Sequence, residues 1–167
     1  MTKTPAGYHA ATAWIISADT ARLLEFVARA FGGKELARLK NGRGGIDHAE
    51  FQIDDTILLA FDSQRDWPET PAFLRLYVDD ADRVFRQAVE AGATPVTRVT
   101  RLAFGDRVGR VRDPLGNVWW IQERVEESTD PAELTRRFRD PTATLAMRYV
   151  QESLAEDLRR RPARPSR

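Results

Sequence analysis

Two histidines are all the imidazole this chain has, and one of them, His48, stands two residues before Glu50 in the run His48-Ala49-Glu50-Phe51. On an extended strand that spacing puts both side chains on one face. Such a pair can do acid/base chemistry or supply two legs of a metal site, and the same geometry equally serves a hydrogen-bonded pair on a sheet or an interface. His9 precedes the first apolar run and reads as a surface residue. A second set of side chains suits binding. Phe73, Arg75 and Tyr77 alternate along one run, Trp120 and Gln122 along another, and Trp14 sits in a third. Strand parity gives such a face flat apolar rings beside an always-charged guanidinium, which fits a carboxylate, a phosphate or a stacked ring. The competing reading makes the same aromatics the filling of a core, with Arg75 paired to Glu50 or Asp106.

Other chemistries are excluded by what is missing. The chain has no cysteine, so disulfides, thiolate nucleophiles, zinc-thiolate sites and iron-sulfur clusters are out. Gly42-Arg43-Gly44-Gly45 lies between two strand patterns rather than before a helix, and reads as a hairpin turn, not a phosphate cradle. No serine or threonine nucleophile constellation is visible. The formal net charge of +1 hides an asymmetry: five arginines fall in Arg159 to Arg167, leaving an acidic body unsuited to nucleic acid. The sequence carries no readable signal peptide or membrane span, so a cytoplasmic protein is expected, with 42% hydrophobic residues to build its core.

The elements that must position these residues repeat. Asp19 to Gly32 and Asp79 to Gly92 are helical segments 60 residues apart, each following an apolar strand and closing on glycine. Around the first, the pattern predicts a strand over Ala11–Ser17 and a helix capped by Asp19, with Leu23, Leu24, Val27, Ala28 and Phe31 inward. Strands Glu35–Lys40, His48–Ile53 and Thr56–Phe61 follow, the last two joined by an Asp54-Asp55 turn. Asp62 to Pro71 has no sustained period and reads as a linker. The second copy runs strand Phe73–Val78, helix Asp80–Ala91, a strand near Pro95–Thr100, then Arg107–Arg112 and Val118–Glu123 about the turn Asp113-Pro114-Leu115-Gly116-Asn117. Beyond Val125, Ser128 to Glu133 starts one helix and Asp140-Pro141 another, where Ala146, Val150, Leu154 and Leu158 form an apolar stripe that must cover its own domain or a partner.

These features resemble the vicinal oxygen chelate superfamily of glyoxalases, bleomycin-resistance proteins and extradiol dioxygenases, and within it the small glyoxalase-like bacterial branch. The residues that carry the resemblance are Asp19 to Gly32, His48-Ala49-Glu50-Phe51, Tyr77-Val78-Asp79-Asp80, and Gly105-Asp106-Arg107 followed by Arg112 to Trp119. The resemblance implies an α+β fold of two β-α-β-β-β modules, a curled mixed sheet around a central cleft, with the C-terminal helices added. It divides the chain into a glyoxalase-like domain at 1–126 (module one 8–62, linker 63–71, module two 72–126), a helical extension at 127–161 and a disordered basic tail at 162–167. Carried over residue by residue, the superfamily's metal-ligand positions fall on Thr12, Leu59, Phe73 and Trp120, none of them a usual ligand, so no metal and no other cofactor is expected.

The resulting expectation is a metal-free homodimer that sequesters a small aromatic or anionic molecule in an aromatic cleft. Trp14, Phe73, Arg75, Tyr77, Trp120 and Gln122 would line it, with no nucleic acid or membrane partner. The alternative is an enzyme, a lyase or isomerase acting on a small metabolite with His48 and Glu50 as acid/base groups or metal ligands. In the retained Asp106-Arg107 pair, adjacency sends the two side chains to opposite faces.

Overall fold

A computed structural model of the chain describes residues 4–127 and 130–160. The expected basic tail at 162–167 lies outside the described residues. The elements run β1 (Trp14–Ser17), α1 (Thr20–Phe31), β2 (Lys34–Lys40), β3 (Ile46–Ile53), β4 (Thr56–Asp62), β5 (Phe73–Tyr77), α2 (Ala81–Glu90), β6 (Thr94–Arg101), β7 (Asp106–Arg112), β8 (Val118–Arg124), α3 (Pro131–Phe138) and α4 (Pro141–Arg159). They form an α+β fold with two four-stranded sheets in the same order, β1-β4-β3-β2 and β5-β8-β7-β6. The chain divides into two compact units. One holds the described residues up to Leu74 with Arg86–Thr94 and Arg112–Val118; the other holds Arg75–Phe85, Pro95–Val111 and the described residues from Trp119 onward. None of the helices among the described residues is long and apolar enough to cross a membrane.

In the first sheet β1 runs parallel to β4, while β4, β3 and β2 are antiparallel neighbours. Helix α1 begins where Asp19 Oδ1 accepts the Arg22 amide at 3.0 Å and ends at Gly32, whose φ of 67° turns the chain out of the helix. Its buried face is Leu23, Leu24, Phe26, Val27 and Ala30. Ala28, expected inward, is exposed, because the apolar stripe is centred on Phe26 and Ala30 instead. Ile15, Ala49, Phe51, Leu58 and Ala60 are buried on one side of the sheet. Their partners in alternation, Trp14, His48 and Glu50, are not. The turn from β2 to β3 is held by Asn41, whose side-chain oxygen accepts the Arg43 and Gly45 amides and whose amide donates to Asp47. It is the hairpin turn the sequence predicts.

The sequence run most specific to the resemblance proves to be a structural buckle. Asp113 Oδ1 accepts the Leu115 amide at 2.8 Å and the Asn117 amide at 2.9 Å, while Asn117 donates to Asp113 Oδ2 and accepts the Ala72 amide at 2.9 Å. Gly105 is required for two reasons. Its φ is 92°, and a Cβ there would come within 2.4 Å of the Glu126 carbonyl. Asp106 and Arg107 do face opposite ways. Arg107 bonds to Asp82 of α2 and lies 3.3 Å from Glu123, whereas Asp106 is buried on the other side.

Helix α4 finds its surface within its own chain. Val150 packs with Leu102 and Val108, joined by Phe104, Ala146, Met147 and Tyr149. The Tyr149 hydroxyl accepts the Arg98 amide, and Thr97 and Ser153 share a 2.8 Å hydrogen bond. Leu158, expected in the covered stripe, is exposed, and Asp157 is buried in its place. Both helices start as the sequence predicts, with Asp130 and Asp140 as N-caps each followed by proline; Ser128 and Thr129 lie outside the described residues.

Candidate functional site

The face of the first sheet that turns away from the buried layer gathers the chemistry of module one. Register places Trp14, Leu59 and Glu50 in one row across β1, β4 and β3, and alternation adds His48 to the same face. His48 Nε2 lies 3.0 Å from Glu50 Oε1. A carboxylate can only accept, so Nε2 carries the proton and Nδ1 is left as the ring's acceptor. The second partner of Glu50 is Tyr8, whose hydroxyl donates to the same carboxylate. The His48 bond first and the Tyr8 bond second hold the Glu50 carboxyl below its ordinary pKa. Donating to Glu50 in turn raises the pKa of the Tyr8 hydroxyl, which keeps its proton.

Tyr8 reaches Glu50 because of a turn. Its amide bonds to the Pro5 carbonyl at 3.1 Å, and Gly7 between them has a φ of 81°. A Cβ at Gly7 would press on Ile57 Cδ1 at 3.2 Å, so the turn sits directly on β4. Around this pair stands a chain of edge-on rings: Trp14 against His48 at 5.3 Å, Trp14 against Phe61 at 5.3 Å, and Phe61 against Trp67 at 6.1 Å between centroids. Sequence reading found His48, Glu50 and Trp14 but missed Tyr8 and Trp67. The Pro5-Ala6-Gly7 turn before an aromatic is the one local signal that could have pointed to Tyr8. His9 is exposed and takes no part.

In β5, Phe73, Arg75 and Tyr77 share one exposed face while Leu74 and Leu76 are half-buried, as alternation predicts. The Arg75 guanidinium lies over the Tyr77 ring at 5.0 Å, and no ion pair forms to it among the described residues. The acids weighed as its partners are engaged elsewhere: Glu50 by His48 and Tyr8, and Asp106 by Arg124 at 2.5 Å and by Gln122. Gln122 is 6% exposed, with its amide committed to Asp106. Trp120 is half-buried, with the Arg110 guanidinium 3.8 Å above its ring centroid.

Arg110 is the other residue that sequence reading did not single out. It is 3% exposed, and its Nη1 donates to Thr97 Oγ1 at 3.0 Å and to the Val150 carbonyl at 2.6 Å. Nε has no partner among the described residues. Burial pulls its pKa down to about 10. Its alternation with Val108 in β7 was the available signal.

The positions that the resemblance aligns with metal ligands do not fit a divalent ion. Leu59 is a buried aliphatic side chain, Phe73 and Trp120 are aromatic, and the Thr12 hydroxyl donates to the His9 carbonyl. Among the described residues, no group of three or more His, Asp or Glu side chains comes together as a metal site. His48 and Glu50 bring two donor groups to this face, fewer than the three or four protein ligands a divalent site uses.

Comparison with known proteins agrees with this architecture. Residues 8–121 match the Glyoxalase/Bleomycin resistance protein/Dioxygenase superfamily. Uncharacterized proteins of Mycobacterium bovis and Mycobacterium tuberculosis are 32% identical over 123 residues, which cover 65% of this chain and 79% and 71% of theirs. Among solved structures, TioX from Micromonospora sp. ML1 is similar with a TM-score of 0.57 at 23% identity, over 72% of this chain and 100% of its own. A glyoxalase/bleomycin resistance protein/dioxygenase family enzyme from Burkholderia phytofirmans PsJN gives 0.57 at 17% identity, over 68% and 96%. At such identities the structures speak for the fold alone. The sequence match, the doubled sheet order and these likenesses converge: the chain belongs to the Glyoxalase/Bleomycin resistance protein/Dioxygenase superfamily.

Proposed function

We propose that this protein is a cytoplasmic, metal-free binder of a small aromatic or anionic organic molecule, acting by sequestration in the manner of the bleomycin-resistance branch. The observation that carries the reading is Arg75, which lies over Tyr77 on the exposed face of β5 without a carboxylate partner among the described residues. An always-charged fork backed by an aromatic ring is well suited to an anionic group attached to a flat molecule. Exposed Phe73 extends that face of β5 with further aromatic area of the kind ligand sites use, and Trp14 offers surface of the same kind on the first sheet.

Titrating the protein with a panel of aromatic carboxylates and aromatic antibiotics while following tryptophan fluorescence tests this. Saturable quenching that Arg75→Ala weakens about tenfold is expected for a charge-assisted contact of roughly 1.5 kcal/mol. Silence across the panel counts against sequestration. The proposal takes the protein as a homodimer, and a monomeric mass in solution would remove that part. Its support now rests on the resemblance, since α4 spends its apolar face on Leu102 and Val108 of its own chain.

A second reading, a lyase or isomerase, is favoured by one specific feature: the His48–Glu50 pair, oriented and accessible on an open sheet face.

A further inference from the structure

We infer that His48 Nδ1 is the proton acceptor for an acidic hydroxyl, a phenol or an enol, on an aromatic ligand seated against Trp14. The inference deepens the binding reading by naming a functional group the ligand must carry, and it rests on that reading.

Glu50 fixes the tautomer, because its carboxylate at 3.0 Å takes the Nε2 proton and leaves the Nδ1 lone pair directed away from the pair. Tyr8 acts on Glu50 from a second direction, and Trp14 abuts the imidazole edge-on, so the ring is held by two neighbours, Glu50 and Trp14. Nδ1 itself has no protein partner among the described residues, and the His48 side chain is 32% exposed. A structural pair needs no free acceptor at the surface. An oriented histidine with one nitrogen anchored to a carboxylate and the other open is instead arranged to receive a proton.

The chemistry closes without a co-reactant. The ligand O–H bond breaks, an Nδ1–H bond forms, and the electron pair stays on the ligand oxygen. The imidazolium then lies between the new oxyanion and Glu50, two negative charges that stabilise it. Net charge at the site does not change. Leu39 and Leu59, neighbours of His48 and Glu50 in the sheet register, are aliphatic and offer no competing proton.

4-Nitrophenol is a suitable probe, because its phenolate absorbs in the visible and its phenol does not. Below the probe's own pKa, bound probe is expected to show a phenolate band about tenfold stronger than free probe at the same pH, a drop of about one pKa unit. His48→Gln should abolish that band while tryptophan quenching by the probe persists within a few-fold. Probe that binds but ionises as it does in water, or equally in His48→Gln, overturns the inference and leaves the sequestration reading standing. Absence of binding by the probe overturns it as well, and the antibiotic and carboxylate panel then decides the broader reading separately. A measurement on the unmodified protein adds an independent arm: long-range nitrogen–proton NMR of the two histidine rings should find His48 as the Nε2–H tautomer. An Nδ1–H tautomer would overturn the assignment.

Discussion

Arg110 holds its guanidinium carbon 3.8 Å above the ring centroid of Trp120, so one face of the indole that sequence reading offered to a ligand is already taken by a buried cation. Among the described residues that cation has no carboxylate partner, and its hydrogen bonds go to Thr97 and the Val150 carbonyl. A desolvated charge of this kind costs the fold, as its lowered pKa records. A basic group whose folded pKa lies below its unfolded value destabilises the fold in full at any pH below the folded value, where both states are charged, and that cost fades only as pH rises from the folded toward the unfolded value, so it is fully present at neutral pH. Arg110→Met keeps the length and places a thioether on Trp120. Thermal unfolding is expected to show equal or higher stability, a gain of about 1 kcal/mol, and a loss above that size would mean the Val150 tie outweighs the desolvation.

Asp62 and Glu123 perform one task in the two repeats. Asp62 Oδ1 accepts the amide of Thr20, the first residue of α1, and Glu123 Oε2 accepts the amide of Ala81, the first residue of α2; the two bonds span the same 42 residues. Each carboxylate from the last strand satisfies an orphan donor at a helix start. Asp62 also accepts the Ile46 amide at 2.8 Å through its other oxygen. Asp62→Ala therefore orphans two donors, and Glu123→Ala one such amide. Chemical denaturation should give a larger loss for Asp62→Ala, about 2 kcal/mol or more, with Asp62→Asn recovering part of it.

The two sheets were legible in advance because alternation and helical period are local signals, and they placed β3, β5 and both capped helices closely. What failed was what depends on distant partners. Asp62 looked like the start of a linker, since nothing near it in sequence reveals Thr20 and Ile46 as its ligands. Tyr8 was invisible for the same reason, as its carboxylate partner lies on β3. The α4 stripe went wrong geometrically: a spacing of four drifts by about 40° per step on a helix, so a row that begins at Ala146 has turned well away by Leu158. Arg110 was passed over because an arginine in a strand reads as a solvated charge until the helix above it is known.

Glu50 makes a pH prediction. Its folded pKa is depressed by the His48 ring N–H and then by the Tyr8 hydroxyl. A depressed carboxyl contributes stability that is present above its unfolded pKa and is lost as pH falls through the folded value. The melting-temperature gap between the parent protein and Glu50→Gln should therefore be largest near neutral pH and should close in acid. A gap that stays constant down to strongly acidic pH would show that the carboxylate's charge plays no part in holding the pair.

Gly7 is a sharper lever on the site than any residue within it. Its φ of 81° is unfavourable for a side chain, and a Cβ would meet Ile57 at 3.2 Å, so Gly7→Ala strains the turn that carries Tyr8 to Glu50. The cost to global stability should be modest, about 1 kcal/mol, because the turn lies outside every helix and strand. The effect on the site should be disproportionate. With Tyr8 displaced, the Glu50 carboxyl loses its second donor, and its pKa, read by carbon-detected NMR, should rise toward the ordinary value; Tyr8→Phe should reproduce that rise with the turn intact. If Gly7→Ala leaves the Glu50 titration unchanged while Tyr8→Phe shifts it, the turn does not position the tyrosine, and the hydroxyl reaches Glu50 by a route independent of Gly7.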